Sequence, residues 1–402
     1  MYIKRQIEKE ILKASRNFPV LLLTGPRQVG KSRTLNEIKE ENRQYITLDD
    51  PIIRNLAINS PEQFLKLYRP PLIIDEIQYA PNLFNYIKIE VDKYNEDGMY
   101  WLTGSQVFSL MRGVQESLAG RVRILRLQGI SQQEEYGEDY KSLILQEDDL
   151  YKSIESKIST LDERILRGSF PRLITHEELL PKDFYASYIQ TWLERDVSEL
   201  SNLQDTGLFF RFCQLLATRT AQELNKTELA KSIQVDAKTI ERWLNILETS
   251  GIIYMLPAWS KNLGKRIIKR PKVYFLDTGL CLYLAGIYDV DSLKNSIIYG
   301  SIFETFVIVE ILKSNFYNGD IPRMYYYRDS NQKEIDLIID YGEKIYPFEI
   351  KSSEIININK ALKNFDVLEK VKEKIKFGGV IYKDKKTIPI DNKFWFISVD
   401  RI

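Results

Sequence analysis

Cysteine and histidine are nearly absent from this chain. Cys213 and Cys281 are its only cysteines. Two thiols cannot build a disulfide framework or a cysteine-rich zinc site, which fits a reducing compartment. His176 is the single histidine. A Ser-His-Asp triad or a multi-histidine metal centre is therefore excluded unless that one residue serves. Its place beside Glu177 and Glu178 predicts an exposed or helix-capping role instead. Long apolar runs are missing too. The longest are strand-sized, such as Val20–Leu23, far short of the roughly 20 residues that span a bilayer. Residues 1–12 are charged throughout and lack the apolar stretch of a signal peptide. A cytoplasmic protein with no membrane partner is expected. Excess charge is also lacking: 57 Lys and Arg against 56 Asp and Glu leave a formal net charge of +1. This excludes a globally basic nucleic-acid coat but not a local patch.

What remains is an ordinary globular composition, 44% hydrophobic and 28% charged, with 24 tyrosines and 18 phenylalanines. A length of 402 residues predicts two to three domains. Residues 1–130 alternate helix-like and strand-like segments, the α/β pattern. Val20–Leu23, Tyr45–Leu48, Leu72–Ile74, Met99–Leu102 and Arg123–Leu127 read as buried parallel strands. Residues 131–205 begin with an acidic, apolar-poor stretch, from Ser131 to Asp162, expected to be a solvated helical face or linker, and continue as a helical segment. Residues 206–275 are expected to form a winged helix-turn-helix with a basic strip. Residues 276–402 are expected to form a second α/β unit.

Gly25-Pro-Arg-Gln-Val-Gly30-Lys31-Ser32 is a complete G-x-x-x-x-G-K-[ST] phosphate-binding loop. An apolar strand precedes it, and a helix-compatible run, residues 32–41, follows. Gly25 and Gly30 let the backbone curl so that N–H groups face phosphate oxygens, and the helix N-terminus adds its positive dipole end. The residues expected to cradle ATP are Gly25, Pro26, Arg27, Gln28, Val29, Gly30, Lys31, Ser32 and Arg33. Lys31 is expected to reach the β- and γ-phosphates, and Ser32 to ligate Mg²⁺. Further on, Leu72-Ile-Ile-Asp75-Glu76 ends an apolar strand in two acids. Asp75 is expected to hold the Mg²⁺ shell and Glu76 to polarise the attacking water. Trp101-Leu-Thr103-Gly104-Ser105-Gln106 is a third strand with a polar end, and Ser105 is its candidate for the γ-phosphate or water.

These segments, together with Asp75-Glu-Ile-Gln-Tyr-Ala-Pro81, Ser117-Leu-Ala-Gly-Arg121, Arg167-Gly-Ser-Phe-Pro171, Tyr188–Asp196 and Tyr274-Phe-Leu-Asp-Thr-Gly-Leu280, resemble the prokaryotic AAA-type ATPases that carry a C-terminal domain of unknown function. The resemblance covers most of the chain. It implies ATP hydrolysis, and it implies for Arg121 a role as a trans-acting or sensor arginine, with Arg112 and Arg123 as competitors. Where wider AAA proteins often end the sensor strand in Asn, Ser105 stands here.

Thr227–Ile233 reads as a short helix capped by Thr227, and residues 237–248 as a second, with Ile240, Trp243, Leu244 and Leu247 on one face. Gly251 and a strand over Ile252–Leu256 follow, the order of a winged helix-turn-helix. Lys238 and Arg242 are candidates for DNA contact, as are Lys261, Lys265, Arg266, Lys269 and Arg270 in a strip that ends at Lys272. Packing of this module on its own ATPase or on a protein partner is the competing expectation.

Nearer the C-terminus, Glu334-Ile-Asp336-Leu-Ile-Ile339 and Pro347-Phe-Glu349-Ile-Lys351 flank Gly342-Glu343, a two-residue hairpin loop. Mirror-symmetric pairing sets Asp336 opposite Glu349, and alternation puts Lys351 on the same face. This resembles the restriction-endonuclease-like D…E-x-K core, with Glu304 as the acid on the preceding helix. Asp336 and Glu349 are then metal ligands and Lys351 orients water. A cross-strand salt bridge, or a nuclease fold that has lost activity, is the alternative. An ATP-driven nuclease, a nucleotide-gated DNA switch and a regulatory ATPase with a protein partner are the three functions expected, with a homo-oligomer compatible with each.

Overall fold

The computed structural model describes residues 2–104, 117–137, 160–193, 206–260, 269–329, 331–353 and 364–402. Ser105, Arg112, Lys261, Lys265 and Arg266 lie outside the described residues, as do residues 138–159 of the acidic stretch.

Five strands form the first sheet: β1 (Val20–Thr24), β2 (Gln44–Thr47), β3 (Leu72–Asp75), β4 (Tyr100–Gly104) and β5 (Val122–Arg126). Their order is β2-β3-β4-β1-β5, and all neighbours are parallel. Each of the expected strands is present within a residue or two. β1, β3 and β4 are buried along their whole length, because helices cover both faces of such a sheet. Val20, Leu22, Leu72, Ile74 and Leu102 pack on one face with Phe64, Phe84 and Ile87. Leu21, Leu23, Ile73 and Trp101 pack on the other with Ile7 and Ile11.

That second face does not stop at residue 130. Its apolar interior runs without a break through Phe209, Trp243, Phe275, Phe303, Phe348 and Ile402. The expected boundaries at 130/131 and 275/276 are therefore not seams in the packing. The start of the acidic stretch departs from its expected solvated state. Ser131, Gln132, Gln133 and Glu134 are buried. Ser131 and Glu134 form a reciprocal capping box on the helix Gln132–Tyr136. Gln132 Nε2 donates to the carbonyls of Val399 and Ile402, at 3.1 and 3.2 Å. The acids serve a capped helix end and buried cations, which composition alone does not reveal.

The middle of the chain is helical, as expected. The helices Thr206–Ala217, Lys226–Ile233 and Ala237–Thr249 stand with a small sheet of β6 (Gln222–Glu223), β7 (Ile253–Leu256) and β8 (Lys272–Phe275), ordered β6-β8-β7. Ile240, Trp243, Leu244 and Leu247 form the buried face. The first helix of the pair is capped by Asn225, which accepts from Glu228 N, rather than by Thr227. Asn225 holds extended backbone geometry one residue outside the helix, where a cap must sit.

The C-terminal sheet contains β9 (Met324–Arg328), β10 (Glu334–Asp340), β11 (Ile345–Lys351), β12 (Gly378–Tyr382), β13 (Ile388–Pro389) and β14 (Phe394–Ser398). Its order is β13-β14-β12-β11-β10-β9; β9, β10 and β11 pair antiparallel, while β11, β12 and β14 pair parallel. Against it lies the helix Tyr299–Tyr317, buried nearly all round. The three-stranded and six-stranded sheets are joined: Tyr326 N donates to Pro257 O at 3.1 Å, and Ala258 bridges to Tyr326. Among the described residues, no helix is long and apolar enough to cross a membrane.

Candidate nucleotide site and acidic cluster

β1 delivers the chain into the loop at residues 25–30, and the helix Lys31–Ile38 leaves it. Gly25 and Gly30 take φ of 144° and 96°. A Cβ at Gly25 would stand 2.0 Å from Leu127 O, so only glycine lets the loop pass. Pro26 and Val29 are buried, Arg27 is half-buried, Gln28 is exposed, and exposed Arg33 pairs with Glu37 at 3.4 Å. Lys31 is buried. Its ammonium donates to Gly25 O at 3.0 Å and Pro26 O at 2.7 Å, which holds it within the curl of the loop.

Next to the loop, Ser32 Oγ donates to Asp75 Oδ1 at 2.7 Å. Thr103, at the end of β4, donates to the same oxygen. Tyr45 donates its hydroxyl to Asp75 Oδ2 at 2.7 Å. Burial, then the hydrogen bond to Asp75, pushes the Tyr45 phenol well above its ordinary range, so it stays a donor. Thr103 and Tyr45 join this cluster without having been expected from the sequence. Thr103 stands two residues before Ser105 at the same polar strand end. Tyr45 carries no local signal and reaches Asp75 only because β2 neighbours β3.

Glu76 follows in left-handed backbone geometry, with φ of 57°. Its N–H donates to Thr103 Oγ1 at 3.3 Å, and Gln78 donates to its carboxylate. Left-handed geometry at a non-glycine residue is costly and concentrates at functional turns. The donor set fits a Mg-nucleotide: hard oxygens from Ser32 and Asp75 for the metal, and a glycine curl with a buried ammonium for phosphate.

Arg121 is placed elsewhere. Its carbonyl accepts from Val20 N, which puts it at the start of β1 and β5, the edge opposite the loop. Its guanidinium pairs with Asp92, with Nη2 at 3.0 Å from Oδ2. A sensor role on its own nucleotide does not fit that position. His176 is exposed and beside Thr175, as expected.

The C-terminal hairpin has the expected register. Leu337 faces Phe348 and Asp340 faces Ile345, so one further step sets Asp336 opposite Glu349. Gly342 takes the positive φ, 84°, of the tight turn. Lys351 Nζ lies between the two acids, 3.1 Å from Asp336 Oδ2 and 2.7 Å from Glu349 Oε2. Ile350 N and Asn364 Nδ2 complete the pair, at 2.8 Å from Asp336 and 3.1 Å from Glu349. Burial, then the charge of Asp336, raises the Glu349 carboxyl above the usual range. Burial opposes ionisation of Asp336 as well, but Lys351 and Lys272 more than offset it and hold that carboxyl low.

Glu304 joins the cluster through Lys272, which lies 2.9 Å from it and 2.5 Å from Glu334. Tyr274 also donates to Glu304, at 2.6 Å. Lys272 therefore leaves the exposed basic strip: it is buried, because β8 carries it inward. Lys269 and Arg270 are exposed, with Lys269 bonded to Arg328 O at 3.0 Å. Lys238 and Arg242 are exposed on the helix Ala237–Thr249. Among the described residues, no three Asp, Glu, His or Cys side chains converge to hold a metal ion. The cation between Asp336 and Glu349 is an ammonium.

Comparison with known proteins divides the chain in three. Residues 17–136 match the family described as AAA domain, residues 158–291 a domain of unknown function (DUF8612), and residues 299–402 a domain of unknown function (DUF4143). Uncharacterized proteins of Mycobacterium tuberculosis H37Rv and Mycobacterium bovis are 27% identical over 401 residues, covering 99% of this chain and 84% of theirs. Among solved structures, the Walker-type ATPase of Pyrococcus abyssi aligns with a TM-score of 0.45 and 13% identity, over 70% of this chain and 96% of that one. RuvB of Thermotoga maritima aligns with a TM-score of 0.30 and 16% identity, over 66% and 91%. Residues 17–136 thus match an AAA domain, and residues 299–402 match the DUF4143 domain behind it.

Proposed function

We propose that the chain hydrolyses Mg-ATP at residues 25–33 and uses that cycle on nucleic acid. The observation that carries the first part is Ser32 and Asp75 joined at 2.7 Å beside a buried Lys31. Ser32 and Asp75 would hold the Mg²⁺, which supplies charge neutralisation at the phosphates. Lys31 would exchange its two carbonyl partners for phosphate oxygens. Glu76, fixed by Thr103 and Gln78, would orient a water and accept its proton. Arg121 faces the far edge of the sheet, so its action on a nucleotide requires a neighbouring copy.

Nucleic acid is favoured by the element order. The helix Thr206–Ala217, β6, two helices, β7 and β8 follow one another as in a winged helix-turn-helix, with Lys238 and Arg242 exposed on the second helix of the pair. The experiment is ATP turnover with and without DNA, while the DNA is watched for cuts. Turnover that responds to DNA is expected. Turnover without any DNA affinity at low salt would replace this reading with that of a regulatory ATPase acting on a protein.

A second reading concerns cleavage. A helix, three antiparallel strands and a parallel strand follow one another through residues 299–382, with Asp336, Glu349 and Lys351 on one face. This supports a nuclease-like domain. Cutting dependent on Mg²⁺ or Mn²⁺ and lost in Asp336→Ala would establish activity. Binding without cutting would leave the cluster a structural ion pair.

A further inference from the structure

Behind the phosphate loop sits a second guanidinium, unrelated to Arg121. Arg5 is 2% exposed. Its Nη1 donates to Val29 O at 2.9 Å, on the residue before Gly30. Its Nη2 reaches Gln128 O at 2.9 Å, Gly129 O at 3.1 Å and the Tyr317 hydroxyl at 3.0 Å. Its Nε pairs with Glu134 at 3.1 Å. One planar fork therefore grips the nucleotide loop, the strap that follows β5, and the last residue of the helix Tyr299–Tyr317.

The strap is fixed on every side. Leu127 N donates to Thr24 O at 2.8 Å, and Leu127 O closes on Gly25. Ile130 N donates to Ser169 O at 2.7 Å. Lys313 Nζ donates to Ile130 O at 3.0 Å, and Gln132 N donates to Glu310 at 2.7 Å. The Tyr317 hydroxyl donates in turn to Gly129 O. Both Lys313 and Glu310 belong to that same C-terminal helix, so a buried polar path of few bonds joins it to the loop.

We propose that Arg5 is a positioning residue for the phosphate loop, and that through Tyr317 it couples nucleotide occupancy to the C-terminal helix. The proposal rests on the reading of residues 25–33 as a nucleotide site. A phosphate on Gly30 N–H draws on the same peptide unit whose carbonyl, that of Val29, accepts from Arg5, and the rigid fork passes that shift to Tyr317. Lysine keeps the charge but cannot hold acceptors in several directions at once. Phenylalanine at 317 keeps the ring, 5.4 Å from the guanidinium, and removes only the hydroxyl.

The test uses the full chain and Mg-ADP, in wild type, Arg5→Lys and Tyr317→Phe. Calorimetric titration measures affinity, and hydrogen exchange follows the backbone of residues 306–317. In the wild type, Mg-ADP slows exchange in that helix. Arg5→Lys weakens binding by about 5–150-fold, the usual range of coupling between sites. Tyr317→Phe binds but loses the nucleotide-dependent protection. A folded Arg5→Lys protein with wild-type affinity overturns the positioning role, even if it melts earlier. Wild-type protection in Tyr317→Phe overturns the coupling, and decides alone if Arg5→Lys does not fold. A wild type that binds no Mg-ADP removes the nucleotide reading and this proposal with it.

Discussion

Thr103 donates its hydroxyl to Asp75 Oδ1, the oxygen that also receives Ser32. One strand end thereby fixes the acid of its neighbour, and the Thr103 hydroxyl accepts from Glu76 N as well. Thr103→Val keeps the shape and removes these bonds. A net loss of about 1–1.5 kcal/mol corresponds to roughly a tenfold rise in the Mg²⁺ needed for half-maximal ATP turnover. Magnesium titration of the steady-state rate checks it; an unchanged midpoint would mean that Asp75 does not depend on Thr103.

Glu76 is set apart from Asp75 by its backbone and its partners. Glu76→Gln keeps the size and can still bond Gln78, but cannot take a proton. Turnover should fall about 10²–10⁴-fold while nucleotide affinity holds. Single-turnover hydrolysis alongside equilibrium binding separates the two quantities. Equal losses in both would assign Glu76 to the architecture of the turn.

Lys272 is a buried ammonium between Glu304 and Glu334. Lys272→Met leaves Glu304 without its cation, while Glu334 keeps Arg328 at 3.8 Å, and should cost about 3–5 kcal/mol of stability. Urea denaturation reads the loss. Adding Glu304→Gln should restore part of it, since the stranded charge is then gone. Equal midpoints for single and double variants would show that the pair is not coupled.

Asp162 ties the middle of the chain to its C-terminal part, accepting from Tyr299 at 2.7 Å and from Lys383 at 2.8 Å. Burial opposes its ionisation, but the bonds from Lys383 and Tyr299 and the charge of Lys294 prevail, so its carboxyl lies below the ordinary value. A depressed carboxyl gives stability that is present above its unfolded pKa and is lost as pH falls through the folded one. Asp162→Asn should therefore flatten the decline in stability below about pH 4, with the largest difference from wild type near neutrality. Melting temperatures across that range decide; parallel curves would remove Asp162 from the acid response.

The strands of the first sheet were readable because burial on both faces leaves uninterrupted apolar runs, as in β1 and β3. The hairpin was readable to the residue because Gly342 fixes the turn and side chains alternate with period two. The phosphate loop was readable because its chemistry is local. Arg5, Tyr45 and Lys272 were not. Each finds its partners across long stretches of chain, and nothing in the neighbouring letters separates a buried, bonded side chain from a solvated one. The acidic run after Ser131 misled for the same reason: Glu134 meets Arg5 only in the folded chain.

The continuous apolar interior makes this protein a poor donor of parts. Excising residues 1–130 as a building block would carry off Leu125 on β5 without the helix Tyr299–Tyr317 that packs against that strand. Any chimera built on that fragment must supply a replacement cover of matching shape, or the transplanted piece will stick to itself.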